Sequence, residues 1–310
     1  MPDMPELPSL PTPSILIETA APKPARKILP YLALGAGIIS LSMSAMFVKW
    51  AEAPGVVTSF FRMMLAVCLM FPFFWRYTVL KSSTPLSLRW IFLPVLSGLF
   101  NSLDHAIWST ALSYTNVANA TLLNNISPLW VALLAYFVWK ERLSGRFWGG
   151  LALTLSGAVF IFGSDLFSNP KLGIGSILGI ASSFFYAGYY LATQRGRNHY
   201  GVLSYWWVTT LCSSVFLLSY IVLFNIPLAG YSITTYLTFL LAALVSQMVG
   251  SFSLTYALGH LSASVVAPTM ILQPALSALL AIPLTGEPLF PAQWLGGMAV
   301  LAGIYWINRR

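Results

Sequence analysis

Asn101, Asp104, His105 and Trp108 stand at i, i+3, i+4 and i+7, the spacing that puts four side chains on one face of a helix. An adjacent acid and imidazole can hold a ligand's ammonium group or carry a proton. An amide and an indole beside them suit a ligand that is polar at one end and flat and apolar at the other. Thr121, Asn124, Asn125 and Pro128 repeat the pattern further on. Tyr186 and Tyr189 fall on a stripe with Ser182, Phe185 and Thr193, and Gln247 and Ser251 are polar points four residues apart. Ser44 joins Ser40, Met43 and Phe47 on a soft face that can line a cavity. Arg62, alone in an apolar run, can meet a ligand carboxylate, snorkel outward or pair with Asp104. Each of these residues also has a plain structural reading. Asp104 can lock helices by pairing with Arg62 or Lys49, the amides can be interhelical glue, and the tyrosines can be packing.

The runs that carry these residues are of membrane length. The chain has 310 residues, 57% hydrophobic and 8% charged. A soluble domain is about 25% charged, so there is too little charge here to cover a water-facing surface. Apolar runs occur at about 28–49, 55–75, 90–111, 117–139 and 147–163, then at about 172–193, 202–224, 232–257, 262–284 and 290–307. This predicts an all-α polytopic membrane protein of ten transmembrane helices. Residues 1–27 hold seven prolines and read as a flexible tail. A turn-forming stretch, Ser164–Pro170, separates the two sets of five.

The two sets repeat. Residues 111–157 slide forward by 146 positions onto 257–303 without a gap, with 13 identities in 47 positions. Pro128 meets Pro274, Ala132–Ala135 meets Ala278–Ala281, Glu141 meets Glu287, Trp148 meets Trp294, and Gly150 and Gly157 meet Gly296 and Gly303. Five is odd, so consecutive copies enter the membrane from opposite sides. Inverted repeats of this kind build secondary transporters, with the substrate site between the halves. The first repeat covers 28–163 and the second 172–308. Pro128 and Pro274 remove a backbone donor inside their helices and can bend them where a gate moves.

Charge placement sets direction. With the N-terminus on one side, that side carries 13 Lys and Arg, the other side Lys49 and Lys171, and Arg62 lies within the second run. The asymmetry puts both termini in the cytoplasm. The net charge of +8 is spread singly between apolar runs, with no basic stripe, so no nucleic acid is expected. Cys68 and Cys212 lie inside apolar runs and read as packing residues, and no metal ligand cluster is spaced for binding. The three histidines are scattered and there is no H-E-x-x-H or G-x-S-x-G motif, so no catalytic residues, cofactor or metal are expected. A membrane-embedded enzyme is the distant alternative.

The stretch from Ala111 to Leu123, then Ser127-Pro-Leu-Trp130, Trp139-Lys-Glu-Arg-Leu143, Trp148-Gly-Gly150 and Gly157 resembles the EamA pattern. Ala257-Leu258, Gln273-Pro274, Gly286-Glu-Pro-Leu289, Trp294 and Gly296 give the degenerate second copy. EamA proteins are ten-helix carriers of the drug/metabolite transporter superfamily, and this chain most resembles the aromatic amino acid exporters. The resemblance implies an exporter of small amphipathic metabolites, aromatic or other neutral amino acids, working by alternating access in a bacterial inner membrane. It implies a small-molecule substrate, a lipid bilayer as surroundings and a monomer, since one chain holds both repeats. The alternative is multidrug or organic-cation efflux. The small multidrug resistance relatives use an acid in their first span, and residues 29–49 contain none.

Overall fold

A backbone inside a bilayer has no water to bond, so its N–H and C=O groups must pair within each segment. In a computed structural model the described residues are helical wherever the apolar runs fall, with no strand among them. The structure describes residues 28–80, 88–139, 145–168, 170–261, 266, 269–270, 272–286 and 291–308. The Pro-rich tail, Glu141 and Glu287 lie outside them. Six helices are long and apolar enough to cross a membrane, including Leu29–Trp50, Gly55–Leu80 and Ile233–Leu258. The third span, Phe92–Ala111, falls short by composition because Asn101, Ser102, Asp104 and His105 interrupt it. The chain is thus an all-α polytopic membrane protein.

The break between the two sets of five is shorter than the sequence suggests. Helix continues from Gly145 to Ser168 and resumes at Pro170, running to Gly196. Proline at a first helical position has its φ preset and loses no needed donor, so Pro170 starts a helix rather than extending a loop.

The packing repeats with the sequence. The third span lies against the sixth, as the eighth lies against the first. The sixth packs on the fourth, and the first on the ninth. The second meets the seventh, the fourth the ninth and the fifth the tenth, so exchanging the halves returns the same pairs. The fifth and tenth spans, Gly145–Ser168 and Pro291–Asn308, show the direction of the exchange. A Cβ on Gly157 would lie 2.7 Å from the Gly296 carbonyl and 2.8 Å from the Val300 nitrogen. A Cβ on Gly303, the repeat mate of Gly157, would lie 2.7 Å from the Gly150 carbonyl and 2.6 Å from the Thr154 nitrogen. Gly150 and Thr154 are the mates of Gly296 and Val300. Earlier residues of one helix therefore face later residues of the other, and the equivalent helices run antiparallel about a two-fold axis. Only glycine lets the backbones come this close, and in lipid such packing is what holds helices together.

Both repeats break a helix at the shared proline. The fourth span is Val117–Asn124, a turn at Asn125 and Ile126, then Ser127–Trp139. The ninth begins anew at Leu272, two residues before Pro274. In each case the proline sits in a first turn, where its missing N–H has no partner to lose. The eighth span is interrupted differently. Its middle, Ala243–Ser251, is π-helical, a wider winding that re-aims side chains and is often found at functional sites.

Candidate functional site

The middle of the third span turns its polar face inward, and the apolar Val95, Leu96, Leu99, Leu103 and Ile107 are left exposed or half-exposed on the other side. Asn101, Asp104 and Trp108 are buried there, and His105 is half-buried beside them. They face a cavity also lined by Leu41 and Ser44 of the first span, Arg62 of the second, Asn124 of the fourth and Tyr186 and Tyr189 of the sixth. Gln247, Ser251 and Leu254 of the eighth span and Gln273 of the ninth complete it. The free space is about 40 Å³, room for roughly three waters. Apolar clusters flank it. Leu34, Ile38, Tyr190, Leu258 and Met270 pack on the side where the first span begins. Ala45, Met46, Leu112, Val117 and Ala281 pack on the side where it ends.

Opposite charges face this space without pairing. Arg62, 2% exposed, donates through Nη1 to Ser44 Oγ at 2.5 Å. Its Nη2 lies 3.0 Å from His105 Nε2. A guanidinium has only donors, so the imidazole is the acceptor in that contact. Arg62 Nε is buried with no hydrogen-bond partner. Across the space, Asn124 Nδ2 donates to Asp104 Oδ1 at 2.7 Å and to Ser182 Oγ at 2.9 Å. Among the described residues a neutral amide, and not Arg62 or Lys49, is the hydrogen-bonding partner of Asp104. The expected alternative of a direct Asp104 lock on a cation is therefore not what the structure holds.

Neutral polar groups frame the charges. Asn101 donates to Ser213 Oγ at 3.0 Å, and that hydroxyl donates on to the Gly98 carbonyl. Gln247 donates to Thr210 and Ser251 at 3.4 Å each. Gln273 is 8% exposed, and its Oε1 is buried without a partner. The aromatic wall is ordered: Tyr186 and Tyr189 stack with centroids 6.0 Å apart, and Trp108 meets the His105 ring edge-on at 5.9 Å.

Eleven of the residues singled out from the sequence line this one space: Ser44, Arg62, Asn101, Asp104, His105, Trp108, Asn124, Tyr186, Tyr189, Gln247 and Ser251. Thr121 and Asn125 do not. The helix turns at Asn125, so the face drawn through an unbroken fourth span is lost. Asn125 Nδ2 bonds back to the Thr121 carbonyl at 3.0 Å, and the Thr121 hydroxyl is buried without a partner. Neither proline lines the space. Pro274 instead lines an apolar pocket of about 180 Å³ between the fourth, ninth and tenth spans. Cys68 is exposed on the apolar surface and Cys212 half-buried, both free thiols.

Gln273, singled out beside Pro274, lines it too, and Leu41 and Leu254 were missed as lining residues. The repeat finds one of them. The shift of 146 carries Asn101, His105 and Trp108 onto Gln247, Ser251 and Leu254, and all six line the space.

The EamA-like transporter family model matches the chain twice, over residues 28–163 and 173–309. A transporter of Archaeoglobus fulgidus is 26% identical over 252 residues, 80% of this chain and 85% of that protein. A pseudopaline exporter of Pseudomonas aeruginosa is 26% identical over 244 residues, 75% and 80%. A probable terminal-alkyne amino-acid exporter of Streptantibioticus cattleyicolor is 27% identical over 196 residues, 62% and 64%. A solved crystal structure shares the fold, with a TM-score of 0.65 at 17% identity, covering 91% of this chain and 98% of its own.

Proposed function

The chain belongs to the EamA-like transporter family and is a membrane transporter of small molecules rather than an enzyme, and we propose that it exports zwitterionic amphipathic metabolites, aromatic or other neutral amino acids foremost. The observation that carries this reading is that Arg62 and Asp104, buried and of opposite sign, line one cavity without bonding to each other. Buried charges that make no direct ion pair are costly. A substrate that brings a carboxylate to Arg62 and an ammonium to Asp104 satisfies both at once. Trp108, Tyr186, Tyr189, Leu41 and Leu254 offer its side chain an apolar wall. Ser44, Asn101, His105, Asn124 and Gln247 complete the proposed contacts. The named amino-acid exporter among the relatives accords with this substrate class.

Transport proceeds by alternating access in this reading. The halves, residues 28–163 and 172–308 behind a tail of 1–27, rock about the antiparallel fifth and tenth spans, and the broken fourth and ninth spans bend at Pro128 and Pro274. The working unit is a monomer in the bacterial inner membrane with both termini cytoplasmic, and neither nucleic acid nor a cofactor takes part. Asp104 also favours a second reading, organic-cation efflux, in which Arg62 has no role.

Counterflow in liposomes tests both. Vesicles holding purified protein are preloaded with unlabelled amino acids or drug-like cations and given labelled phenylalanine outside. Accumulation driven by internal amino acids is expected. None, beside a working control carrier, sinks the amino-acid reading, and exchange of labelled cations alone establishes the second.

A further inference from the structure

Gln273 has a place that no role so far uses. It is the last residue before Pro274, at the point where the ninth span restarts. Its backbone is fixed: its N–H bonds to the Met270 carbonyl at 2.9 Å, and its carbonyl accepts from Ser42 Oγ at 3.3 Å. Ser277, one turn on, donates back to the Ser42 carbonyl at 3.0 Å, so the first span clamps the restart on two sides. The side chain is left to face the cavity. It is nine-tenths buried, and its Oε1 is an acceptor with no donor. Buried polar atoms without partners are rare in folded proteins and call for an explanation.

The same cavity holds a complementary orphan. Arg62 Nε is a donor with no acceptor. An unpartnered donor, an unpartnered acceptor and a carboxylate held only by an amide thus line one small space. A zwitterion supplies the missing partner to each: its carboxylate accepts a hydrogen bond from Arg62 Nε, and its ammonium has three N–H groups to donate. Asp104 uses one or two of these, and among the described residues Gln273 Oε1 is the remaining buried acceptor lining the cavity without a donor.

We propose that Gln273 accepts a hydrogen bond from the ammonium group of the transported molecule and so makes the carrier select primary amines. This rests on the amino-acid reading above. The position gives the contact a second consequence. A ligand bound to Gln273 is attached to the residue beside Pro274, so ligand engagement and the bend of the ninth span are joined through one residue.

The test uses the full-length protein in liposomes, with labelled phenylalanine in counterflow. Unlabelled phenylalanine, N,N-dimethylphenylalanine and 3-phenylpropionate compete with it. Wild-type protein is expected to prefer phenylalanine over both competitors. In Gln273→Met, which keeps length and loses the acceptor, phenylalanine is expected to weaken by about tenfold or more, the range lost when a bond to a charged group goes. The two competitors should change less than twofold, so the preference collapses. Gln273→Glu keeps an acceptor and is expected to restore the preference, which a purely structural role would not do. Unchanged preference in Gln273→Met, with counterflow intact, overturns the proposal alone. Wild-type protein that moves no neutral amino acid overturns the amino-acid reading and this proposal with it.

Discussion

Replacing Gly303 by alanine puts a methyl where there is no room. Its Cβ would stand 2.3 Å from Thr154 Oγ1, 2.6 Å from the Thr154 nitrogen and 2.7 Å from the Gly150 carbonyl. Two of these are backbone atoms of the facing helix and cannot rotate away. Ordinary contact begins near 3.4 Å, so the fifth and tenth spans must part by roughly 0.7 Å. A gap of that size forfeits about a quarter to a half of the dispersion attraction along the seam. The Thr154 hydroxyl also loses its bond to the Gly150 carbonyl, 2.9 Å long. Overpacking costs about 1–3 kcal/mol, and alanine's better helix propensity returns up to about 1. The net expectation is about 1–2 kcal/mol, a fall of roughly 2–6 °C in melting temperature. Gly157→Ala should cost somewhat less, because the residue facing it is Val300 rather than a hydrogen-bonded threonine. The double variant should cost less than the sum, since one separation relieves both clashes. Gly149→Ala, with nothing within 4 Å, is the control and should be neutral or stabilising. Thermal unfolding in detergent, followed by tryptophan fluorescence, reads all four. Equal melting temperatures for Gly149→Ala and Gly303→Ala would refute the antiparallel glycine seam.

Other outcomes are expected at the cavity. Asp104→Asn keeps an oxygen for the Asn124 amide and loses only the charge, so counterflow should drop by about a hundredfold with melting temperature little changed. Undiminished flux would return Asp104 to a scaffold role. Arg62→Lys keeps the charge but loses the fork that reaches Ser44 and His105 together, and flux should fall by about tenfold. Equal flux would show that the fork geometry is idle. For direction, a single cysteine in place of Asn198 should react with an impermeant thiol reagent only from the cytoplasmic side. One in place of Glu52 should react only from outside, and reversed labelling would invert the proposed topology.

Much of this was legible from residue types and spacing. Asn101, Asp104, His105 and Trp108 share a face because the third span is an unbroken α-helix, and for such a helix spacing alone fixes the face. The same rule failed in the fourth span, where it assumed continuity through Asn125. The proline that marks the break was visible, yet its effect on the face of Thr121 and Asn125 depends on a turn that spacing cannot give. Leu41 and Leu254 carry no polar signal, and only position puts them at the site. The partner of Asp104 was also out of reach. Sequence offers two cations of the right sign, but the geometry of the third and fourth spans brings an amide instead. Gln273 had a signal, a polar residue before a repeated proline, but its emptiness is a property of the folded surroundings.

The lining of the cavity is symmetric in position and unlike in chemistry. Asn101, His105 and Trp108 have Gln247, Ser251 and Leu254 as mates, while the mate of Asp104 is Gly250. Gly250 is tight against the first span, where an added Cβ would meet Leu41 at 3.0 Å, so a matching acid in the second half would have to push Leu41 aside. Had the mates been identical, a guest in the cavity would have met two poses of equal energy, related by the two-fold axis. The carboxylate on one side alone removes that degeneracy. Handedness within the site thus comes from a duplicated chain that kept its backbone twofold and let one wall forget its charge.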